Sequence, residues 1–513
     1  MARKKARSNV KQTDQLNTML KQGEREVDPN LSININKLES LFNGDSDFTV
    51  RPFKLIGKYP AAIIYLNSIV DKKGINQDIL KPLMNQQSGY SFETLNFEQI
   101  KTVIYEELIY QTQGSEETKW TSIIDHILRG YTIVLVDQVK LAFALDTFDV
   151  AERSISQPES EQVVRGPRDG FIESLSTNIS LIRFRLPVSS LRIKSLNIGQ
   201  LTQSKVAVFY LDSIVNPSLL ESVIDRLNQI KTDRILDAGY LEEHLRDAPK
   251  SPFPQIQYTE RPDVVVGNLL EGRVVIIVDG SPFGLIAPAT ITQFLHTPED
   301  YNEHFLISSA TRVIRLISLV LSLIMPSLYL AAISFHPELI PTRFAIAITT
   351  GRTGVPFPLF LEIFIMEIAM EILREATIRM PKQVGAALSI VGVLVVGQAA
   401  VEAGFVSPLT VVIIALTTIG SFATPSYNIA IALRLLRFPM LAMTTILGLY
   451  GFMISWIIIS NHLLSLRSFG VPYLQPLSPG NWNDLKDAII RTPLRWLKYR
   501  PDALNTKHRQ RLK

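Results

Sequence analysis

The chain of 513 residues carries 52 Lys+Arg against 48 Asp+Glu, a formal net charge of +4. That excess is too small to mark a nucleic-acid surface, no nucleic-acid-binding motif occurs, and the length admits about two to four domains. The absence of cysteine excludes disulfides, thiol nucleophiles and cysteine metal sites, and seven scattered histidines leave no zinc pattern.

In chain order, residues 1–50 are basic and lack the apolar core of a secretory signal. They read as a flexible basic N-terminal arm, with contact to anionic lipid as the other reading. Residues 61–73 have the β-branched and aromatic content of a buried strand. Helical patterns follow at 97–111 and 119–130, and 131–147 reads as strand, tight turn at Asp137-Gln138, and strand. A second unit begins with strand then helix at 205–230, continues through a helical stretch at 240–247, and ends at 272–288 as strand, Asp279-Gly280 turn, strand.

The two units share landmarks. Tyr65-Leu66-Asn67-Ser68-Ile69-Val70 matches Tyr210-Leu211-Asp212-Ser213-Ile214-Val215, and Gly130 before an apolar run to Asp137 matches Gly272 before one to Asp279. The landmarks lie 65 residues apart in one copy and 62 in the other, which favours a tandem duplication. Strands separated by helices and closed by a hairpin predict mixed α/β sheets. The subdomains are expected at 51–155 and 205–300, joined by a linker and entry segment at 156–204. In that linker, Val164-Arg165-Gly166-Pro167-Arg168 is a turn signal flanked by two cations. It reads as an interdomain linker held to neighbouring acids, with a phosphate or carboxylate site as the alternative. Prolines 252, 254 and 262 predict an extended segment at 251–263 packed between the subdomains. Asp137, Asp279 and Ser281 read as turn residues. No catalytic, cofactor or metal constellation is found, so the chain is expected not to be an enzyme.

From 308 to 466 the composition turns apolar. A run of 20 residues at 316–335, broken by Pro326 and preceded by Arg312 and Arg315, is long enough to cross a bilayer with its start on the cytoplasmic side. Further spans are expected at 385–401, whose small residues suit close helix packing, at 409–423, and within 438–466, with Arg434 and Arg437 interrupting between the last two. Four crossings put both ends on one side; six would recruit the acidic segment 355–380 and a stretch such as 344–350. The tail 467–513 holds ten Lys/Arg against three Asp and is expected to be cytoplasmic.

Segment 355–380 is the functional candidate, because ionisable groups inside an apolar segment are costly. At about 100° per residue, Glu367, Glu371 and Glu375 lie about 140°, 180° and 220° from Glu362, with Arg374 and Arg379 at about 120° and 260°. These five charges share one broad stripe and are the candidate ion path or gate. The stripe reads either as one face of an interfacial amphipathic helix or as a lining whose acids select cations. Glu362 lies off the stripe, where packing against a neighbouring helix or partner is the other reading; with Gln398 and Glu402 it forms a secondary set.

Several motifs in order carry a resemblance: Val163-Val164-Arg165-Gly166-Pro167, the Pro-rich run at 251–263, Gly272-Arg273-Val274 on to Ser281-Pro282-Phe283, the Val-Pro-Phe-Pro at 355–358, Leu373-Arg374-Glu375-Ala376, Arg379 with Pro381, and 396–407. Together they resemble the A subunit of GerA-type spore germinant receptors and its paralogue from the stage V A sporulation operon, over roughly residues 50–475. The resemblance implies residence in the spore inner membrane as a multi-pass protein. It also implies a permease-like B subunit and a lipoprotein C subunit as partners, self-oligomerisation, and release of cations in response to nutrient; no nucleic-acid partner and no cofactor are implied. The paralogue would amplify ion release without sensing nutrient. A secondary transporter and a membrane-anchored scaffold are the alternatives from other classes.

Overall fold

The computed structural model describes residues 26–84, 114–149, 157–159, 161–379, 397–480 and 482–511. They form two compact units. One comprises Met1–Arg246, Ile256–Pro288 and Lys498–Lys513, and the other Asp247–Gln255 and Ala289–Leu497.

The first unit holds two five-stranded sheets with one strand order. The first repeat contains α1 (Leu31–Leu41), β1 (Phe48–Leu55), β2 (Tyr59–Leu66), β3 (Gly114–Glu117), α2 (Trp120–Leu128), β4 (Tyr131–Val136) and β5 (Ala142–Asp146). Its sheet runs β1-β2-β4-β5-β3. The second repeat contains α3 (Leu175–Arg185), β6 (Leu191–Ile198), β7 (Ser204–Leu211), α4 (Pro217–Gln229), α5 (Ala238–Leu245), β8 (Gln257–Thr259), α6 (Pro262–Glu271), β9 (Val274–Val278) and β10 (Gly284–Ala287), with the sheet β6-β7-β9-β10-β8. The central strands are continuous Val/Ile runs because helices cover them; all five residues of β9 are buried. Each such side chain contributes about 1.5–3 kcal/mol relative to exposure.

The repetition extends to local hydrogen bonds. Asp137 Oδ1 accepts the Leu31 N–H, and Asp279 Oδ1 accepts the Leu175 N–H, each at 3.1 Å. The two turn aspartates therefore satisfy a free donor at the start of α1 or α3, where a helix has no partner of its own. Within each helix an asparagine holds the preceding chain: Asn34 accepts the Asp28 N–H at 3.1 Å, and Asn178 accepts the Ile172 N–H at 2.9 Å. The repeats are joined through Arg183 of α3. It is 1% exposed, pairs with Asp45, and donates through Nε to Asp47 at 3.2 Å. Burial pushes the Asp47 carboxyl up, and Arg183 and the Ser68 hydroxyl only partly offset this.

Several expectations change. Every described strand pairing in these sheets is antiparallel, not mixed, because the helix-containing connections return the chain to a neighbouring strand in the opposite sense. The first repeat starts inside the expected arm. Asn30 caps α1 by accepting the Ser32 N–H at 3.0 Å, and Leu31, Leu38 and Leu41 enter the core. Similarly, α3 and β6 fall in the expected linker, yet belong to the second repeat. The segment 251–263 supplies the edge strand β8 and then starts α6 at Pro262, whose missing N–H costs nothing at the first helical position. The helical pattern expected at 97–111 lies outside the described residues.

That Pro-rich segment also holds the linker. Thr259 Oγ1 donates to Glu161 Oε2 at 2.5 Å, the Glu260 N–H reaches the same oxygen at 3.2 Å, and Arg261 donates to the Glu161 and Pro167 carbonyls at 3.3 and 3.0 Å. The buried cation is thus Arg261, ion-paired with Asp263 at 2.8 Å, whereas Arg165 and Arg168 are exposed. Burial pushes the Glu161 carboxyl up to about 7, more than these donors and Arg261 lower it.

The second unit is helical: α7 (Phe305–Ser334), α8 (Thr342–Gly351), α9 (Leu359–Arg379), α10 (Pro408–Phe422), α11 (Tyr427–Leu447) and α12 (Leu449–Ser465). α7 and α11 are long and apolar enough to cross a membrane; α10 and α12 are apolar but shorter. Most of the span expected at 385–401 lies outside the described residues. Arg312 and Arg315 do not stand as free flanking cations. Both bind Asp300 at 2.9 Å, and Arg312 also binds Asp487 at 2.9 Å. Burial alone would raise the Asp300 carboxyl, but bonds from Arg315 and the Thr297 N–H, together with the charges of both arginines, lower it on balance.

The residues after 466 are not a free tail. Arg467–Ser468 and Val471–Pro472 pair as short strands β11 and β12, and Tyr473 is fully buried beside Phe253 and Phe294. An apolar anchor, Tyr473, holds the first residues of this segment.

Candidate functional site

α9 starts where Pro356 and Pro358 stop blocking helix, and its 21 residues carry the four glutamates. They do not form a uniform acidic face. Each has a cationic partner, and burial falls along the helix.

Glu362 is fully buried in the first turn. Its Oε1 accepts from Arg352 at 2.9 Å, and its Oε2 accepts the Ser407 N–H at 3.0 Å and the Thr410 hydroxyl at 3.1 Å. Ser407 is itself the N-cap of α10, so this carboxylate lies at the positive end of a helix and is well provided with donors. It ties α9 to α10 and to the residue after α8. Around it Leu359, Ile363 and Met366 pack with Leu330, Ile414 and Leu441.

Glu367 is 2% exposed and meets Arg437, also 2% exposed, at 2.6 Å. One turn on, Glu371 is one-third exposed and takes Arg374 at 2.5 Å and Arg434 at 3.2 Å. Glu375 is mostly exposed and pairs with Arg379 at 2.6 Å. Advancing four residues along α9 corresponds to retreating three along α11, the register of two antiparallel helices zipped by charge. The ring pair Phe364–Phe438, edge-on at 6.0 Å, lies in the same contact. Arg374 and Arg434 also stack over Phe422 and Tyr427, with 5.2 and 5.6 Å to the ring centroids. Such contacts suit weakly hydrated guanidinium groups.

Arg434 and Arg437 were expected to interrupt the membrane segments; they lie inside α11. The break comes instead at Gly448, whose φ of 58° is open to glycine and whose Cβ position is occupied by the Phe335 ring at 2.8 Å. Two arginines stay in an apolar helix because α9 brings carboxylates to them, and a buried charge without a counter-charge is not tolerated. Sequence reasoning missed these residues as members of the site. Their i,i+3 spacing on an otherwise charge-free helix, matching the i,i+4 spacing of Glu367 and Glu371, was the available signal. Of the secondary set, Gln398 donates to Glu402 at 2.9 Å on an exposed surface, apart from the ladder, and Glu362 is the α10 anchor. Arg379 and Glu375 form an exposed pair at the helix end. No group of three or more potential metal ligands occurs among the described residues.

The arrangement can bind α9 to α11 at its buried end and present the exposed Glu375–Arg379 pair at its open end. A family profile described as Bacillus/Clostridium GerA spore germination protein matches residues 36–503. Spore germination protein KA of Bacillus subtilis (strain 168) is 40% identical, with 94% of this chain and 88% of that protein aligned. The uncharacterized membrane protein YfkQ of the same organism is 38% identical over 93% and 92%. Spore germination protein GerLA of Bacillus cereus is 35% identical over 94% and 97%. A crystal structure of the N-terminal domain of the A subunit of the Bacillus megaterium spore germinant receptor GerK3 aligns with 52% of this chain and 97% of that domain, at 31% identity and a TM-score of 0.40.

Proposed function

We propose, from the premise that this chain belongs to the GerA spore germination protein family, that it is the A subunit of a nutrient-responsive germinant receptor. In this reading it resides in the spore inner membrane, with the sheet-containing unit and the C-terminal segment on the cytoplasmic side. It assembles with further copies of itself and with a permease-like B subunit and a lipoprotein C subunit. On a nutrient signal it releases cations, acting as a conduit and not as an enzyme. The observation that carries the conduit reading is α9: a helix in an apolar setting whose arginine-paired carboxylates pass from buried at Glu367 to mostly exposed at Glu375. Carboxylates at an exposed helix face, when released from their arginine partners, attract cations and repel anions, as charged rings do in cation pores. The buried pairs hold that helix in register, so Glu371 and Glu375 are the residues assigned to the path and Glu367–Arg437 the lock behind them.

The experiment is reconstitution of the purified full-length protein, with and without its partner subunits, in K+-loaded liposomes. A conduit gives K+ efflux that needs no counter-substrate and is dissipated by an opposing gradient. Efflux strictly coupled to exchange of a second solute would assign the chain to the transporter class, and no efflux under any partner combination would leave it a scaffold.

A further inference from the structure

The two repeats end differently, and the difference exposes a role for the last residues of the chain. In the first repeat the chain leaving β5 covers the corner made by the end of β2 and the turn before β4. The Asp149 N–H donates to the Ile69 carbonyl at 3.1 Å, Val70 and Phe148 form an antiparallel bridge, and the Thr147 hydroxyl donates to the Gly130 carbonyl at 3.0 Å. Gly130 has φ 88°, and a side chain there would run into Ile69 O and the Phe148 ring, both 2.8 Å away.

In the second repeat the chain leaving β10 departs after Pro288 for the helical unit, so no equivalent of residues 147–149 follows locally. The corner is nevertheless covered. The Lys507 N–H donates to the Ile214 carbonyl at 2.9 Å, and Ile214 is the counterpart of Ile69 in the repeated motif. Gly272, the counterpart of Gly130, has φ 97°, and a Cβ there would lie 2.5 Å from the Thr506 methyl. Residues some two hundred positions downstream thus occupy the place that residues 147–149 occupy in the first repeat.

The segment is built for this seat. Residues 498–500 and 509–511 form a small hairpin, with Arg500 N–H to Arg509 O and Arg511 N–H to Lys498 O, both 2.7 Å. Leu504 is 2% exposed at its tip. Three cations fasten it to the repeat: Lys507 Nζ to the Asp212 carbonyl at 2.6 Å and carboxylate at 3.1 Å, Arg500 Nε to the Leu270 carbonyl at 2.7 Å, and Arg511 to Glu271 at 2.9 Å.

We infer that residues 498–511 are the closing segment of the second repeat, so that the helical unit is an insertion within that repeat and the corner at residues 212–214 and 270–272 is a docking surface for this one peptide. An unclosed corner leaves the Ile214 carbonyl and the apolar face under Thr506 open, and backbone acceptors of this kind recruit an added extended segment.

The test is hydrogen exchange on the full-length protein and on a chain ending at residue 497, both in the same detergent. Closure predicts at least about tenfold faster exchange at Ile214, Val215, Gly272 and Arg273 in the shortened chain, with Ile69, Val70 and Gly130 as unchanged internal controls. A synthetic peptide of residues 498–513 restores the protection in trans. Should the shortened chain not fold, the full-length swap decides. Lys507→Asp raises exchange at the corner, and Lys507→Asp with Asp212→Lys brings it back towards wild type. Equal protection with and without the segment, or a peptide that binds without restoring it, overturns the inference. So does a swap no better than the single variant.

Discussion

At the scale of single residues, the fold buries charge and sets a counter-charge against it. The pair Glu367–Arg437 is the clearest case. Replacing Glu367 by Leu leaves the Arg437 guanidinium buried and unpaired, a loss of about 3–5 kcal/mol. The double variant Glu367→Leu/Arg437→Leu removes both charges and is expected to recover most of that loss. Thermal unfolding of the detergent-solubilised protein measures it; additive single effects with no recovery would mean the two side chains do not interact. Arg183 makes the same argument in the sheet-containing unit. Arg183→Leu strands Asp45 and Asp47 together and is expected to cost about 3–5 kcal/mol, read by the same unfolding measurement, whereas Arg379→Ala at the exposed pair costs under about 1 kcal/mol. Four glutamates on an apolar segment were legible in the sequence. Arg374 and Arg379 on the same stripe were legible too, but the partners outside α9, Arg352, Arg434 and Arg437, were not assigned, because which element packs on α9 is a tertiary choice.

Between elements, the linker clamp at Thr259–Arg261 gives a titration to follow. Glu161 titrates near 7 in the folded chain, up from an ordinary value of 4.5. The folded state therefore holds a proton that the unfolded state has released. The associated stability is fully present below about pH 4.5 and is lost as pH rises to about 7, on the order of 3 kcal/mol across that window. Glu161→Gln should flatten this part of the stability–pH profile, followed by denaturant midpoint; an unchanged slope would show that another group sets it. Elements were read unevenly from sequence. The Val/Ile runs of β4 and β9 and the amphipathic α2 and α4 are local patterns. α1 was missed because LSININKLESL alternates polar and apolar residues too sparsely to announce a helix, and what organises it is Asn30 at its cap and Asp137 reaching back from a strand turn 106 residues away. β6 was missed for a related reason: its polar outer residues look like linker until β7 pairs with it.

For the whole molecule, one chain holds a duplicated antiparallel sheet body and a helical unit whose helix α9 is held by carboxylate–arginine pairs. The duplication was visible in two sequence landmarks, but its completion by residues 498–511 was not, since only chain topology reveals that β10 leaves without covering its own corner. The conduit reading rests on α9 and is tested most directly by ion selectivity. Reversal potentials across liposomes holding the purified receptor, under a KCl gradient, should show cation preference for the wild type. In Glu371→Gln/Glu375→Gln that preference should fall severalfold while assembly and total conductance persist, because the buried Glu362 and Glu367 pairs still hold the helix. An unchanged reversal potential in the double variant would contradict the assignment of α9 to the cation path.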